Sequence, residues 1–190
     1  MNAFVSALNL SNVTLAGHSL GGAIVQCLAL RSPEWLTRII LVGTGARLRV
    51  APAILDGLSC DPLPSVSDTS FKSAINIICD YAFGPSASPS LIQAAIEDFL
   101  KNRPEVFHGD YLACDQFDIM ENIGQIRFPT LIISGAADTL TPVKYSEYLY
   151  THIPEAEMSV IEEGGHMMGL EKPEEFTEKI KSFLFRNLQQ

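Results

Sequence analysis

The sequence predicts an α/β protein built on a mostly parallel sheet, and three observations carry that expectation. Short β-branched runs alternate with amphipathic runs at both ends of the chain; the longest unbroken apolar runs, such as Ile39-Ile40-Leu41-Val42, are strand-sized; and between about residues 43 and 127 the strand signal gives way to helical spacing. Strands that alternate with helices imply a sheet covered on both faces. The 190 residues suffice for one ordinary domain but are short for the larger α/β enzymes. Apolar residues make up 47% and charged residues 18%, enough apolar material for a buried core and no compositional case for disorder.

Each element follows in order. Residues 1–10 place Phe4, Val5, Leu8 and Leu10 on a short helical face, and 12–16 (NVTLA) read as a buried strand. A glycine-rich turn leads into a helix over 21–30, apolar around most of its circumference, which Ser32-Pro33 stops. Residues 37–42 form the next strand. Three helical stretches, 70–83, 88–102 and 104 to about 117, occupy the insertion, with Pro62, Pro64, Pro85 and Pro89 marking its loops. The alternation resumes with a strand over 130–134, a helix over 142–152, a strand over 157–161 and a closing helix over 173–185.

Composition narrows the function. A net charge of −9 repels a phosphate backbone, which argues against nucleic acid as a partner. No apolar run approaches the roughly 18 residues a membrane span needs, and no basic n-region precedes Arg31, so the chain reads as cytoplasmic, without a membrane. Cys27, Cys60, Cys79 and Cys114 stand far apart, with no C-x-x-C pair. They read as packing thiols, and neither a metal nor another cofactor is expected.

The chemistry concentrates at three strand ends. Gly17-His18-Ser19-Leu20-Gly21 lies between the first strand and the first long helix, the context that gives a G-x-S-x-G pattern its meaning as a nucleophile elbow. Gly17 and Gly21 are expected to be required because a Cβ at either place would collide with the neighbouring strand or helix, while the strained turn projects the Ser19 hydroxyl. The Leu20 N–H, at the helix start, is positioned to hold an oxyanion. A serine needs a base, and the base needs an orienting acid. Asp138 closes the run Leu131-Ile132-Ile133-Ser134-Gly135-Ala136-Ala137, and His166 follows Glu162-Glu163-Gly164-Gly165, each just past the C-terminal end of a strand, where open parallel sheets bind ligands. The order serine, aspartate, histidine after successive strands makes Ser19, Asp138 and His166 a catalytic triad. The lesser alternative for Asp138 read alone is a turn residue or a cap for the helix starting near Pro142.

These motifs, Gly17–Gly22 (GHSLGG), Ile133–Pro142 (ISGAADTLTP) and Gly164–Leu170 (GGHMMGL), with a helical cap between strands, resemble the C-terminal two-thirds of an α/β-hydrolase fold protein of the small esterase-like or lactonase-like branch. The resemblance implies a hydrolase core at 1–45 and 128–190 and a helical cap or lid at 46–127. It also implies what is missing. Family members carry about four strands before the elbow, and the loop after the third supplies a second oxyanion N–H, often through a His-Gly motif; nothing here matches that loop. Loss of such a donor costs on the order of 10²–10³ in kcat. The strand at 12–16 is therefore expected to present an unpaired edge, covered by a second copy of the chain or by an N-terminal segment.

Other residues stand out less. His18 is expected to point away from Ser19, and His108 to sit partly exposed in the cap. His152 ends a helix, where a cation suits the dipole. Met167 and Met168 are expected to pack under the histidine loop, with the lining of the acyl pocket by one of them as the minor alternative, and Phe71, Ile75, Ile78, Leu91, Ile92, Ala95 and Phe99 to form the apolar face of the cap. The leading reading is a serine hydrolase of a small, mainly apolar carboxylic ester or lactone. A serine at the elbow disfavours dehalogenase and epoxide-hydrolase chemistry. Two alternatives stay open: a non-catalytic fragment or assembly module that pairs through its exposed strand edge, and a cofactor-free peroxidase on the same triad.

Overall fold

The computed structural model describes residues 1–58 and 68–186. Cys60, Pro62 and Pro64 lie outside the described residues. Four parallel strands, β1 (Val13–His18), β2 (Leu36–Val42), β3 (Thr130–Gly135) and β4 (Ala156–Ile161), stand side by side in chain order. Parallel neighbours need a crossover, and the helices between them supply it: α2 (Leu20–Ala29) joins β1 to β2, and α7 (Val143–His152) joins β3 to β4. Helix α1 (Asn2–Ala7) opens the chain, and α8 (Met168–Glu171) and α9 (Pro173–Phe185) close it.

Alternation along a strand sends successive side chains to opposite faces. On β2, Ile39 and Leu41 join Ile132 of β3 in a core packed by Val25 and Ala29 of α2 and Leu149 of α7. Their neighbours Ile40 and Val42 face the other way, with Leu131, Ile133 and Ile161, onto Met168 of α8 and Phe183 of α9. Coverage on both faces matches the unbroken apolar stretches 39–42 within β2 and 131–133 within β3. The outer strands β1 and β4 are both less buried than β2 and β3, and each pairs on one side only among the described residues, so the outer edge of β1 is open as the sequence predicts.

Between β2 and β3 the described residues are mostly helical and hold one α-helix more than the sequence indicated. Helix α3 (Pro52–Leu58) precedes α4 (Asp68–Ala82), α5 (Pro89–Phe99) and α6 (Pro104–Gln116). Helix α5 is capped by Ser88, whose hydroxyl accepts the Leu91 N–H at 3.2 Å, and carries Pro89 in its first turn. This layer has its own core, with Ile54 and Leu58 of α3 against Phe71, Ile75, Ile78 and Cys79 of α4 and with Leu91, Ile92, Ala95 and Phe99 of α5 packed on it. No described helix is long and apolar enough to cross a membrane. Cys27, Cys79 and Cys114 are free thiols.

Candidate active site

The elbow forms where β1 runs into α2. Ser19 sits between them at φ 53°, ψ −119°, a conformation a non-glycine residue adopts at a cost of about 1–3 kcal/mol. The glycines that permit this turn differ from the predicted pair. A Cβ on Gly17 would lie 2.2 Å from the Gly21 carbonyl oxygen and 2.6 Å from the Gly22 nitrogen, so strand and helix touch through their backbones there. A Cβ on Gly22 would lie 2.5 Å from Thr44 Cγ2, but one on Gly21 would meet nothing within 4 Å. The steric requirement at Gly21 is therefore corrected: Gly21 lends its backbone to Gly17, and Gly22 is the residue pressed against the next strand end. Leu20 opens α2, so its N–H has no carbonyl of its own helix to bond.

Asp138 and His166 come together from the ends of β3 and β4. The His166 Nδ1–H donates to Asp138 Oδ2 at 2.8 Å, and both residues are about 95% buried. Asp138 keeps its turn role as well: Oδ1 accepts the Leu140 N–H at 2.9 Å and the Thr141 N–H at 2.8 Å. The Thr141 hydroxyl donates to Oδ2 at 2.7 Å and lies 3.2 Å from His166 Nδ1. It is not a helix cap, since Pro142 occupies that position in α7. Burial by itself would raise the Asp138 carboxyl; the bond and charge of His166, then the two Thr141 donors, outweigh it and hold the carboxyl below its usual range.

The three residues do not follow three consecutive strands, because β2 intervenes between those of Ser19 and Asp138. Its end contributes Gly43, at φ 49°, where a Cβ would stand 3.2 Å from His166 Nδ1 and 3.4 Å from Asp138 Oδ2. A bare backbone there leaves room for the pair. Ser19, Leu20 and His166 open onto one cavity of about 570 Å³. The Ser19 hydroxyl makes no hydrogen bond to His166, so only one of the two predicted contacts of the ring is formed; the serine–histidine bond is the one that often tightens only around substrate.

The His18 ring lies 4.6 Å from the His166 ring, centroid to centroid, and its Nε2–H donates to the His166 carbonyl at 2.9 Å. One side of the His18 ring is open to the cavity; the protein crowding its other sides, and then His166, push its pKa down to about 4. His108 is half-buried and away from the cavity wall, and His152 is exposed, stacked on Tyr148. Met167 lines the cavity while Met168 is buried in the core.

Val50, Ile54, Ile78 and Phe99 line the helical side of the cavity. Arg49, Asp110 and Lys144 line it too, so its wall is less purely apolar than the sequence suggested. Arg49 donates to the Leu48 and Asp115 carbonyls, both at 2.7 Å. Among the described residues no group of three or more His, Cys, Asp or Glu side chains is arranged to hold a metal ion. The sequence did not single out Gly43, Thr141 or Glu171, whose carboxylate accepts the Gly165 N–H beside His166 at 3.0 Å. For Thr141 a local signal existed, a hydroxyl three residues after an aspartate in a turn.

Known proteins are similar to this chain. Over 97% of the chain, and 68% of its own length, the 3-oxoadipate enol-lactonase 2 of Acinetobacter baylyi is 24% identical. The 2-hydroxy-6-oxononadienedioate/2-hydroxy-6-oxononatrienedioate hydrolase of Paraburkholderia xenovorans is 27% identical over 97% of the chain and 66% of its own length. The chain thus spans about two thirds of the length of these relatives. A solved thermophilic esterase superposes with a TM-score of 0.81 at 39% identity, covering 97% of this chain and 69% of the esterase. The pattern for the alpha/beta hydrolase fold matches residues 1–173, which takes in the elbow, the aspartate and the histidine together. Strand, turn and helix order, the buried acid–base pair and this match agree: the chain belongs to the alpha/beta hydrolase family.

Proposed function

We propose that the protein is a serine hydrolase of a small, mainly apolar carboxylic ester or lactone. One observation carries the reading: a buried histidine whose Nδ1–H is committed to a carboxylate at 2.8 Å opens onto the same cavity as a serine at the head of a helix. With Nδ1 protonated, Nε2 of the neutral ring is left as the base. Ser19 Oγ attacks the ester carbonyl as its proton passes to His166 Nε2, and Asp138 stabilises the imidazolium. The Leu20 N–H takes the developing oxyanion at the start of α2. His166 then returns the proton to the departing alcohol, and water, activated by the same ring, releases the acid and restores Ser19.

Residues 46–127 act as the cap and residues 1–45 and 128–190 as the catalytic core. The cavity's volume and apolar helical side suit a small acyl chain, and the lactonase and esterase names borne by similar proteins agree with that class. Three unbonded thiols support a reducing, cytoplasmic setting. The test is covalent: a fluorophosphonate probe is expected to label the protein at Ser19, and p-nitrophenyl acetate to be turned over with a burst. Ser19→Ala should abolish both. A native protein that neither labels nor turns over ester is the outcome of the assembly-module reading instead.

A further inference from the structure

The C-terminal end of α4 is wedged between the two loops that carry the acid and the base. Thr139, next to Asp138, donates its hydroxyl to the Tyr81 carbonyl at 2.9 Å. Met167, next to His166, donates its N–H to the Ala82 carbonyl at 3.0 Å. Glu171, at the end of α8, accepts the Gly84 N–H at 2.8 Å through Oε2, and the Gly165 N–H at 3.0 and 3.1 Å through its two oxygens. The loops are close enough that a Cβ on Gly165 would stand 2.2 Å from the Gly84 nitrogen. Ile78, Tyr81 and Ala82 of the same helix also line the cavity.

The geometry points to Glu171 as a positioning residue for His166: its carboxylate fastens the backbone ahead of the histidine to the end of the helix that walls the substrate cavity. A carboxylate suits the place, since two N–H groups from different segments converge on it and no neutral side chain offers the same two acceptor oxygens. Cavity wall and base are thereby held by one anchor. The inference rests on the hydrolase reading.

Glu171→Gln keeps the shape of the side chain and removes one acceptor. It is expected to lower kcat and the rate of fluorophosphonate inactivation, by up to about 100-fold for an ångström-scale displacement of the base, with KM little changed. The low-field proton resonance of the His166 Nδ1–H should shift in the same variant. Glu171→Asp, too short to reach both amides, should behave likewise. A folded Glu171→Gln with native inactivation rate and an unmoved resonance overturns the inference, even if its melting temperature falls. Should the variants not fold, hydrogen exchange in the native protein decides: Gly84 and Gly165 amides are expected to be protected, and rapid exchange at both overturns it. Failure of the native protein to label at Ser19 would sink the hydrolase reading alone, because the resonance and the exchange report on Glu171 without any turnover.

Discussion

At the scale of single residues, the two oxygens of Asp138 divide two tasks between them. Oδ1 closes the turn through Leu140 and Thr141, and Oδ2 orients His166. The turn reading and the contact with His166 are thus both present in one side chain. His18 offers a measurement of its own. The unfolded chain takes up a proton on this ring near pH 6.5, whereas the folded protein resists until about pH 4. Because the unfolded state then binds more protons, stability should fall as pH drops through that window and be fully present above it. His18→Gln, an uncharged donor, is expected to flatten the fall when urea unfolding is followed between these pH values. An unchanged slope would show that His18 does not cause it. Ser19, Asp138 and His166 were legible because each stands in a motif with a local geometric reason. Thr141 carried only the local signal of a hydroxyl three residues after Asp138, and Glu171 carried none, since its partner Gly84 comes from a segment 87 residues away.

At the scale of elements, the junction of β1 and α2 depends on backbone contact. Gly17→Ala is expected to destabilise by about 1–3 kcal/mol in urea unfolding, because its Cβ would meet peptide atoms that cannot swing aside. Gly21→Ala has open space and improves helix propensity, so it should be neutral or stabilising by up to about 1 kcal/mol. Equal losses at the two positions would contradict this account. The sequence shows G-x-S-x-G as a symmetric pattern, and only the packing of Gly22 on Thr44 reveals the asymmetry. Among elements, β1 to β4 and α7 were legible from alternation and length. Helices α3 and α8 were not, because seven and four residues are too few for a helical period to stand out.

At the scale of the molecule, the open edge of β1 is the feature least satisfied by the described residues. The Ser19 N–H bonds the Val42 carbonyl, so by alternation the Ala16 N–H points outward, away from β2. Phe4, Leu8, Leu10 and Ile24 are also exposed apolar side chains in this N-terminal part of the chain. We expect the polypeptide of residues 1–190 to associate through this edge. Sedimentation over a concentration series should show larger species, with slow hydrogen exchange at Ala16. A monomer at every concentration with a rapidly exchanging Ala16 amide would overturn the expectation.

The wedge at the end of α4 bears on how such a protein can be recombined. Helical insertions invite exchange between relatives as cassettes, to import a new preference for acyl groups. Here the seam for such a graft does not fall where the strand signal stops. Tyr81 to Gly84 is bonded to residues flanking both Asp138 and His166, so those four positions belong with the recipient's loops at the ends of β3 and β4 even though the chain delivers them inside the helical layer. A cassette cut beyond Gly84 keeps the recipient's anchor, whereas one that carries its own α4 must bring a matching partner for Glu171.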